Sequence, residues 1–422
     1  MQTLLAFSGN AQPQLALTRQ LIERGHEVRV LAHRAARERI EATGAEFVPF
    51  RRAQPDLDIS RRETDTLRDW QARTRPGAGM RLLRNGLFAF VLDVSRDCAE
   101  LLARWPADVV AFDWMLIGGA IAAQGAGVPA VALVHCPYPL PVAGAPTLFT
   151  GLRPMRGPLG ALRDRLVNRI ASRLLQSGLP VLNRARAEQG LAPLERWEQQ
   201  LLGASSIFMM SAAELDFSSS GALPANVHYV GPAFEPYARD WSSPWPETNT
   251  DPLVVISLST SYMDQRALAQ RILDAVAGLP VRALLTAGPA LDTSGLELPG
   301  NARVSSFVPH RSVFPHAALV ISHAGWQTIN AALADGVPLL CLPDGRDQPD
   351  NAARVLVAGA GVRARKGTPP RRLRKLIARA LDDPALRRGA DAIAGALGAS
   401  DGALTIADAL EQLVSAPAAS AI

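Results

Sequence analysis

Lysine is nearly absent from this 422-residue chain. Only Lys366 and Lys375 occur, and arginine supplies the rest of the 44 basic residues, which meet 39 acidic ones for a net charge of +5. The arginines are interleaved with acids, and the densest basic stretch, Arg363 to Lys375, has no aromatic residue among its charges. That describes a solvated face and argues against a nucleic-acid groove. Cysteine is scarce too. Cys98, Cys136 and Cys341 are odd in number and lack CxxC spacing, which excludes a disulfide framework and suits a reducing compartment. No window reaches the roughly 20 uninterrupted apolar residues of a spanning helix, and Thr3 to Phe7 reads as a strand with no basic leader before it. The expectation is a cytoplasmic protein without stable membrane insertion. Two nucleotide signatures are also missing. The first strand runs into Gly9-Asn10-Ala11-Gln12-Pro13 rather than GxGxxG, and there is no GxxxxGK[ST], which excludes a Rossmann dehydrogenase and a P-loop enzyme.

What is present is enough for two cores: 48% hydrophobic residues, 20% charged, and a length beyond that of one ordinary domain. A strand at 3–7, an apolar-periodic helix from Gln14 to Arg24, a stop at Gly25 and a strand from Val28 to Leu31 make one parallel crossover unit. The same rhythm returns around Val109–Phe112 and Ala130–Val134, and residues 135–160 read as a long ordered loop. Prolines crowd residues 231–251, and a second α/β alternation follows, with strands at 253–258, 281–286, 303–307, 318–321 and 337–342. The predicted organisation is a domain over 1–230, a linker over 231–251, a second domain over 252–405, and a C-terminal helix with a disordered tail over 406–422. Two parallel sheets joined by a linker imply a cleft at the carboxyl ends of their strands.

The richest stretch is Ile321-Ser322-His323-Ala324-Gly325-Trp326-Gln327-Thr328. It places a tight turn between a strand and a helix, so that free backbone N–H groups and the helix dipole converge on an anion site. A second buried strand, Val337 to Pro343, leads into Asp344-Gly345-Arg346-Asp347-Gln348-Pro349-Asp350-Asn351. In this order the segments resemble the donor-binding motif of family 1 glycosyltransferases, the bacterial natural-product and plant secondary-metabolite enzymes. The resemblance implies the GT-B fold, two Rossmann-like parallel-sheet domains facing a central cleft. It implies an inverting, metal-independent hexosyltransferase with no cofactor beyond a nucleotide-sugar co-substrate.

Carried over residue by residue, His323 matches the diphosphate ligand, while Gly325, Trp326 and Thr328 match backbone and hydroxyl contacts. Asp347 and Gln348 match the pair that hydrogen-bonds the sugar. Phe307 and Val308 match the base-binding segment, and Ser259 and Thr260 the phosphate-contacting hydroxyls. Where relatives often carry a ribose-binding Glu, this chain has Ala331, which leans toward a dTDP-sugar over a UDP-sugar. Where they carry the basic His after the first strand, it has Asn10, whose amide takes no proton at ordinary pH. Asp113 matches the residue that orients that His. Asp113 or His135 would then receive the acceptor's proton, with Asn10 orienting the acceptor, unless the acceptor needs no strong base.

The first half supplies Trp70, Phe88, Trp114, Tyr138 and Phe149 as candidates for an apolar acceptor pocket, suited to a small lipophilic natural product such as an antibiotic scaffold. Asp56-Leu57-Asp58 reads as a polar loop, and no metal is assigned. The chain carries no expectation of nucleic acid, and a homodimer is compatible with it. Two other readings keep the same fold: a non-catalytic auxiliary nucleotide-sugar-binding protein, and a sugar-nucleotide epimerase.

Overall fold

The computed structural model describes residues 1–7, 12–54, 56–72, 74–236 and 241–415. Asn10 and the tail beyond 415 therefore lie outside the described residues. Among the described residues the strands form two sheets, and every pairing in both is parallel. The first contains β1 (Gln2–Ala6), β2 (Glu27–Ala32), β3 (Glu46–Pro49), β4 (Val109–Asp113), β5 (Ala130–Val134), β6 (Ser206–Met209) and β7 (Val227–Tyr229), in the order β3-β2-β1-β4-β5-β6-β7. The second contains β8 (Leu253–Ser257), β9 (Arg282–Thr286), β10 (Ala302–Ser305), β11 (Ala317–Ser322), β12 (Leu339–Cys341) and β13 (Gly361–Arg363), in the order β10-β9-β8-β11-β12-β13.

The central strands β1, β4, β5, β8 and β11 consist mostly of Val, Leu, Ile and Ala, because a parallel sheet is covered by helices on both faces. Each sheet accordingly separates two apolar clusters. In both sheets the strand order reverses beside the first strand, between β1 and β4 and between β8 and β11. Such reversals open a crevice at the carboxyl ends of the strands.

The two halves are tied together at several levels. The C-terminal helix Gly402–Ser415 returns to the first half, where Ile406 and Leu410 join the core beneath helix Gln12–Glu23. Arg24 there pairs with Asp408 at 2.7 Å and His26 with Glu411 at 2.7 Å. In the connecting segment, Trp245 is buried in the second core, which anchors the linker. Asp216 and Arg354 form a buried ion pair at 2.6 Å, and the same carboxylate accepts from the Tyr138 amide at 2.7 Å and the Tyr229 hydroxyl at 2.9 Å. The Arg354 guanidinium also lies 4.4 Å over the Phe217 ring.

Candidate active site

Strand β11 ends at Ser322, whose hydroxyl accepts from the Ala324 amide at 3.1 Å. Ala324 takes a left-handed φ of +70°, unusual for a residue with a Cβ, and turns the chain into helix Trp326–Ala334. Gly325 is the N-cap. A Cβ there would lie 2.6 Å from His323 Nε2, so only glycine leaves room for the ring beside the helix N-terminus. Burial drives the His323 pKa down to about 4, against the smaller opposing pull of the Ser257 carbonyl, so the ring is neutral at physiological pH. Its Nδ1 is buried without a hydrogen-bond partner among the described residues. The other ring nitrogen, Nε2, is the one beside Gly325, and the N–H groups of the helix N-terminus there fit an anionic ligand. Trp326 packs into the core and Thr328 is nearly buried, so both lie beneath this turn.

Neighbouring segments line up behind it. At the end of β8, the Ser257 hydroxyl meets His310 Nε2 at 3.1 Å, and His310 stacks on Phe314 at 4.6 Å. His310 is thus turned inward, its pKa also lowered by burial to about 4. Ser259 is buried, its hydroxyl 3.0 Å from that of Ser261, whereas Thr260 is exposed. Phe307 follows β10 and leaves 64% of its surface exposed, while Val308 packs against the second core.

The loop after β12 completes this half. Asp347 is at the N-cap position of helix Gln348–Val357 but makes no side-chain cap bond. Its carboxylate instead accepts from Asn351 Nδ2 at 2.9 Å, and the same amide reaches the Ala324 carbonyl at 3.0 Å. Asn351 thereby fixes the loops after β11 and β12 to each other. Burial raises the Asp347 pKa, opposed by the Asn351 hydrogen bond and by the nearness of His135 and Arg346. His135 belongs to the first half, so the strand ends of both halves face one another here. Gln348 uses its amide within the loop, accepting from the Asp344 and Gly345 amides at 2.9 and 3.3 Å and donating to Met263 Sδ at 3.0 Å. It shapes the turn that presents Asp347.

In the first half, Asp113 ends β4 and is fully buried, with Oδ1 accepting from the Met115 amide at 3.0 Å. Its Oδ2 lies 3.8 Å from Nδ1 of His135, just beyond the end of β5. Gln14, from the first helix, sits between them, its Nε2 3.5 Å from Asp113 and 3.4 Å from His135. The sequence singles out Asp113 and His135 separately; the structure brings them together and adds Gln14.

Other partners escaped the sequence reading. The guanidinium of Arg346, itself left-handed at φ +55°, grips Asp69 of the first half at 2.9 and 3.0 Å and also reaches the Ser261 hydroxyl. Asp350 accepts from the Thr150 and Gly151 amides at 3.2 and 2.8 Å, and burial raises its pKa to about 6. A cavity of about 230 Å³ lies along this seam, lined by Trp70, Phe149, Met263, Arg346 and Lys366 among others. Of the five aromatic acceptor candidates, Trp70 and Phe149 line it. Phe88 packs on Trp197, and Trp114 and Tyr138 are buried in the first core. Asp56 pairs with Arg34 at 2.6 Å and Asp58 holds the Ser60 hydroxyl at 2.6 Å, so both belong to a polar loop.

Residues 264–413 match the model of the C-terminal domain of erythromycin biosynthesis protein CIII-like proteins, and residues 15–177 that of glycosyltransferase family 4. The chain is 26% identical to 4'-demethylrebeccamycin synthase of Lentzea aerocolonigenes over 96% of this chain and 97% of that protein. It is 27% identical to zeaxanthin glucosyltransferase of Pantoea ananas, over 94% of this chain and 92% of that one. Its fold matches the glycotransferase of kitacinnamycin with a TM-score of 0.76 at 20% identity, covering 98% of each chain. This chain is a GT-B relative of the bacterial natural-product glycosyltransferases. A Streptomyces glycosyltransferase complexed with thymidine diphosphate shares the GT-B fold at a TM-score of 0.66 and 19% identity, over 98% of this chain and 99% of that one. Within the GT-B frame, the His323 turn belongs to the second half and the Asp113–His135 pair to the first, on opposite sides of the cleft.

Proposed function

We propose that this GT-B chain transfers a hexose or deoxyhexose, with inversion, from a nucleotide diphosphate sugar to a small lipophilic acceptor. The observation that carries the reading is the pairing across the cleft of the His323–Gly325 helix turn with the Asp113–His135 pair. The diphosphate would lie against the helix N-terminus, accepting from free N–H groups and from His323. Asp347, held by Asn351, would accept from sugar hydroxyls, and the Phe307 ring would stack on the base. Ala331, a buried methyl on the same helix, offers no acceptor to a ribose hydroxyl, which favours dTDP over UDP. The thymidine diphosphate bound by a structural relative supports that preference. The relatives' names, with demethylrebeccamycin and zeaxanthin in them, support a lipophilic acceptor.

In the transfer, the acceptor's O–H or N–H gives its proton to His135 while the acceptor atom bonds to the anomeric carbon. The carbon–oxygen bond to the diphosphate breaks at the same time, and the leaving nucleoside diphosphate takes the electron pair at the helix N-terminus. Asp113 stabilises the imidazolium that forms. It thus serves as a positioning residue, and its buried carboxylate replaces the dyad that Asn10 cannot complete. Turnover of dTDP-sugars with a panel of aromatic and polyketide acceptors tests this. His135→Ala should lower kcat about 10²–10⁴-fold, as expected for loss of a general base, and leave dTDP affinity unchanged. Full kcat in His135→Ala would remove His135 from the mechanism.

A further inference from the structure

Helix Pro158–Gln176 is mounted the wrong way round for an ordinary surface helix. Leu159, Leu162, Leu166, Ile170 and Leu174 recur at intervals of three and four residues and therefore share one face. That face points to solvent: Leu159 is 74% exposed, Leu162 62%, Leu166 59% and Ile170 49%. The side against the protein is held by polar anchors instead. Asn168 donates to the Val142 and Ala145 carbonyls at 2.8 and 3.2 Å, and Arg163, paired with the buried Asp164 beside it, donates to the Arg153 carbonyl at 2.8 Å. A continuous exposed apolar stripe on an otherwise well-anchored helix marks an interaction surface.

The charge beside the stripe says what it meets. Arg165, Arg169 and Arg173 run parallel to the leucines, and Arg153 and Arg156 precede the helix; all five are exposed and none forms an ion pair among the described residues. Between residues 151 and 178 the sole acid is the buried Asp164. Two copies packed through this stripe would set arginine rows against each other with no carboxylate to meet them. An anionic, apolar surface satisfies both features at once. We propose that this helix docks the protein onto anionic membrane lipid, leucines among the acyl chains and arginines at the headgroups. No helix among the described residues is long and apolar enough to cross a membrane, so the attachment is peripheral. The loop leading into the helix carries Thr150 and Gly151, which Asp350 grips at the cleft. Docking would therefore bring the cleft near the bilayer, whatever chemistry it performs.

Co-sedimentation of the full chain with vesicles of phosphatidylcholine alone, and of phosphatidylcholine mixed with phosphatidylglycerol, tests the proposal. The chain should pellet with the anionic vesicles, stay mostly soluble with the neutral ones, and be released by salt. The triple variant Leu162→Gln, Leu166→Gln, Ile170→Gln should stay soluble with both, with an unchanged melting temperature because these side chains are exposed. Arg165→Gln and Arg169→Gln should each weaken anionic binding by about fivefold, the worth of one charge near such a surface. Wild-type protein that ignores both vesicles overturns the proposal. So does a triple variant that still pellets, or a wild-type dimer that the triple variant dissolves into monomers, since a second copy would then cover the stripe.

Discussion

At Gly325 a single hydrogen side chain decides whether His323 can stand beside the helix N-terminus. Gly325→Ala would put a Cβ 2.6 Å from Nε2 and push the ring away. A hydrogen bond to a charged group is worth about 1.5–3 kcal/mol, so the dissociation constant for dTDP should rise roughly 10–100-fold by calorimetry. The two buried histidines also set a pH response. His323 and His310 stay unprotonated in the fold down to about pH 4, whereas the unfolded chain protonates them near 6.5. The unfolded state therefore binds more protons between those values, and their contribution, present above about 6.5, is lost as pH falls toward 4. Each ring accounts for on the order of 3 kcal/mol. Asp350 works in the opposite sense, its contribution being lost as pH rises through about 6. Urea melts of His323→Asn across this range should show a shallower acid limb than wild type; an unchanged limb would contradict the neutral, buried assignment. These residues were legible from sequence because a strand, a short turn and a helix leave a local signature. Gln14 was not, since nothing near it in the chain predicts that its amide lands between residues 99 and 121 positions away.

Among the elements, strands and helices were the easier part to read and the contacts between loops the harder. Apolar runs bounded by Gly and Pro announced the strands, although β10 ends at Ser305 and β12 spans only Leu339–Cys341, shorter than the periodicity suggested. Helix 158–176 has a clear apolar period, but a period does not say which face turns inward, and the apolar face turns out. The loop ahead of it depends on Gly151, whose φ of +65° disfavours any side chain and whose missing Cβ leaves room for Pro349 at 2.7 Å. Gly151→Ala should destabilise by about 1–3 kcal/mol and loosen the Asp350 clasp. Thermal melts would show the first effect, and faster amide exchange at residue 151 the second. A variant as stable and protected as wild type would deny the loop this role.

Across the whole molecule, the two halves are joined by ion pairs whose partners lie far apart in the chain: Asp69 with Arg346, and Asp216 with Arg354. No local pattern could announce them. Asp216 and Arg354 are nearly inaccessible, so Arg354→Leu would strand a buried carboxylate and should cost about 3–5 kcal/mol. The double variant Arg354→Leu with Asp216→Leu should recover part of that loss, and a cycle with no coupling would show that the pair does not join the halves. Arg346 and Asp69 sit at the cavity edge instead, where they hold the loop after β12 against the first half.

Whether the cleft binds a nucleoside diphosphate at the His323 turn is decided by thermal shifts with dTDP and UDP side by side, on wild type and Gly325→Ala. A ligand at about 100 times its dissociation constant adds roughly 2.7 kcal/mol of stability. Wild type should shift clearly, more with dTDP than with UDP, and Gly325→Ala little. No shift with either nucleotide in folded wild-type protein, or an equal shift in the glycine variant, would contradict binding at that turn.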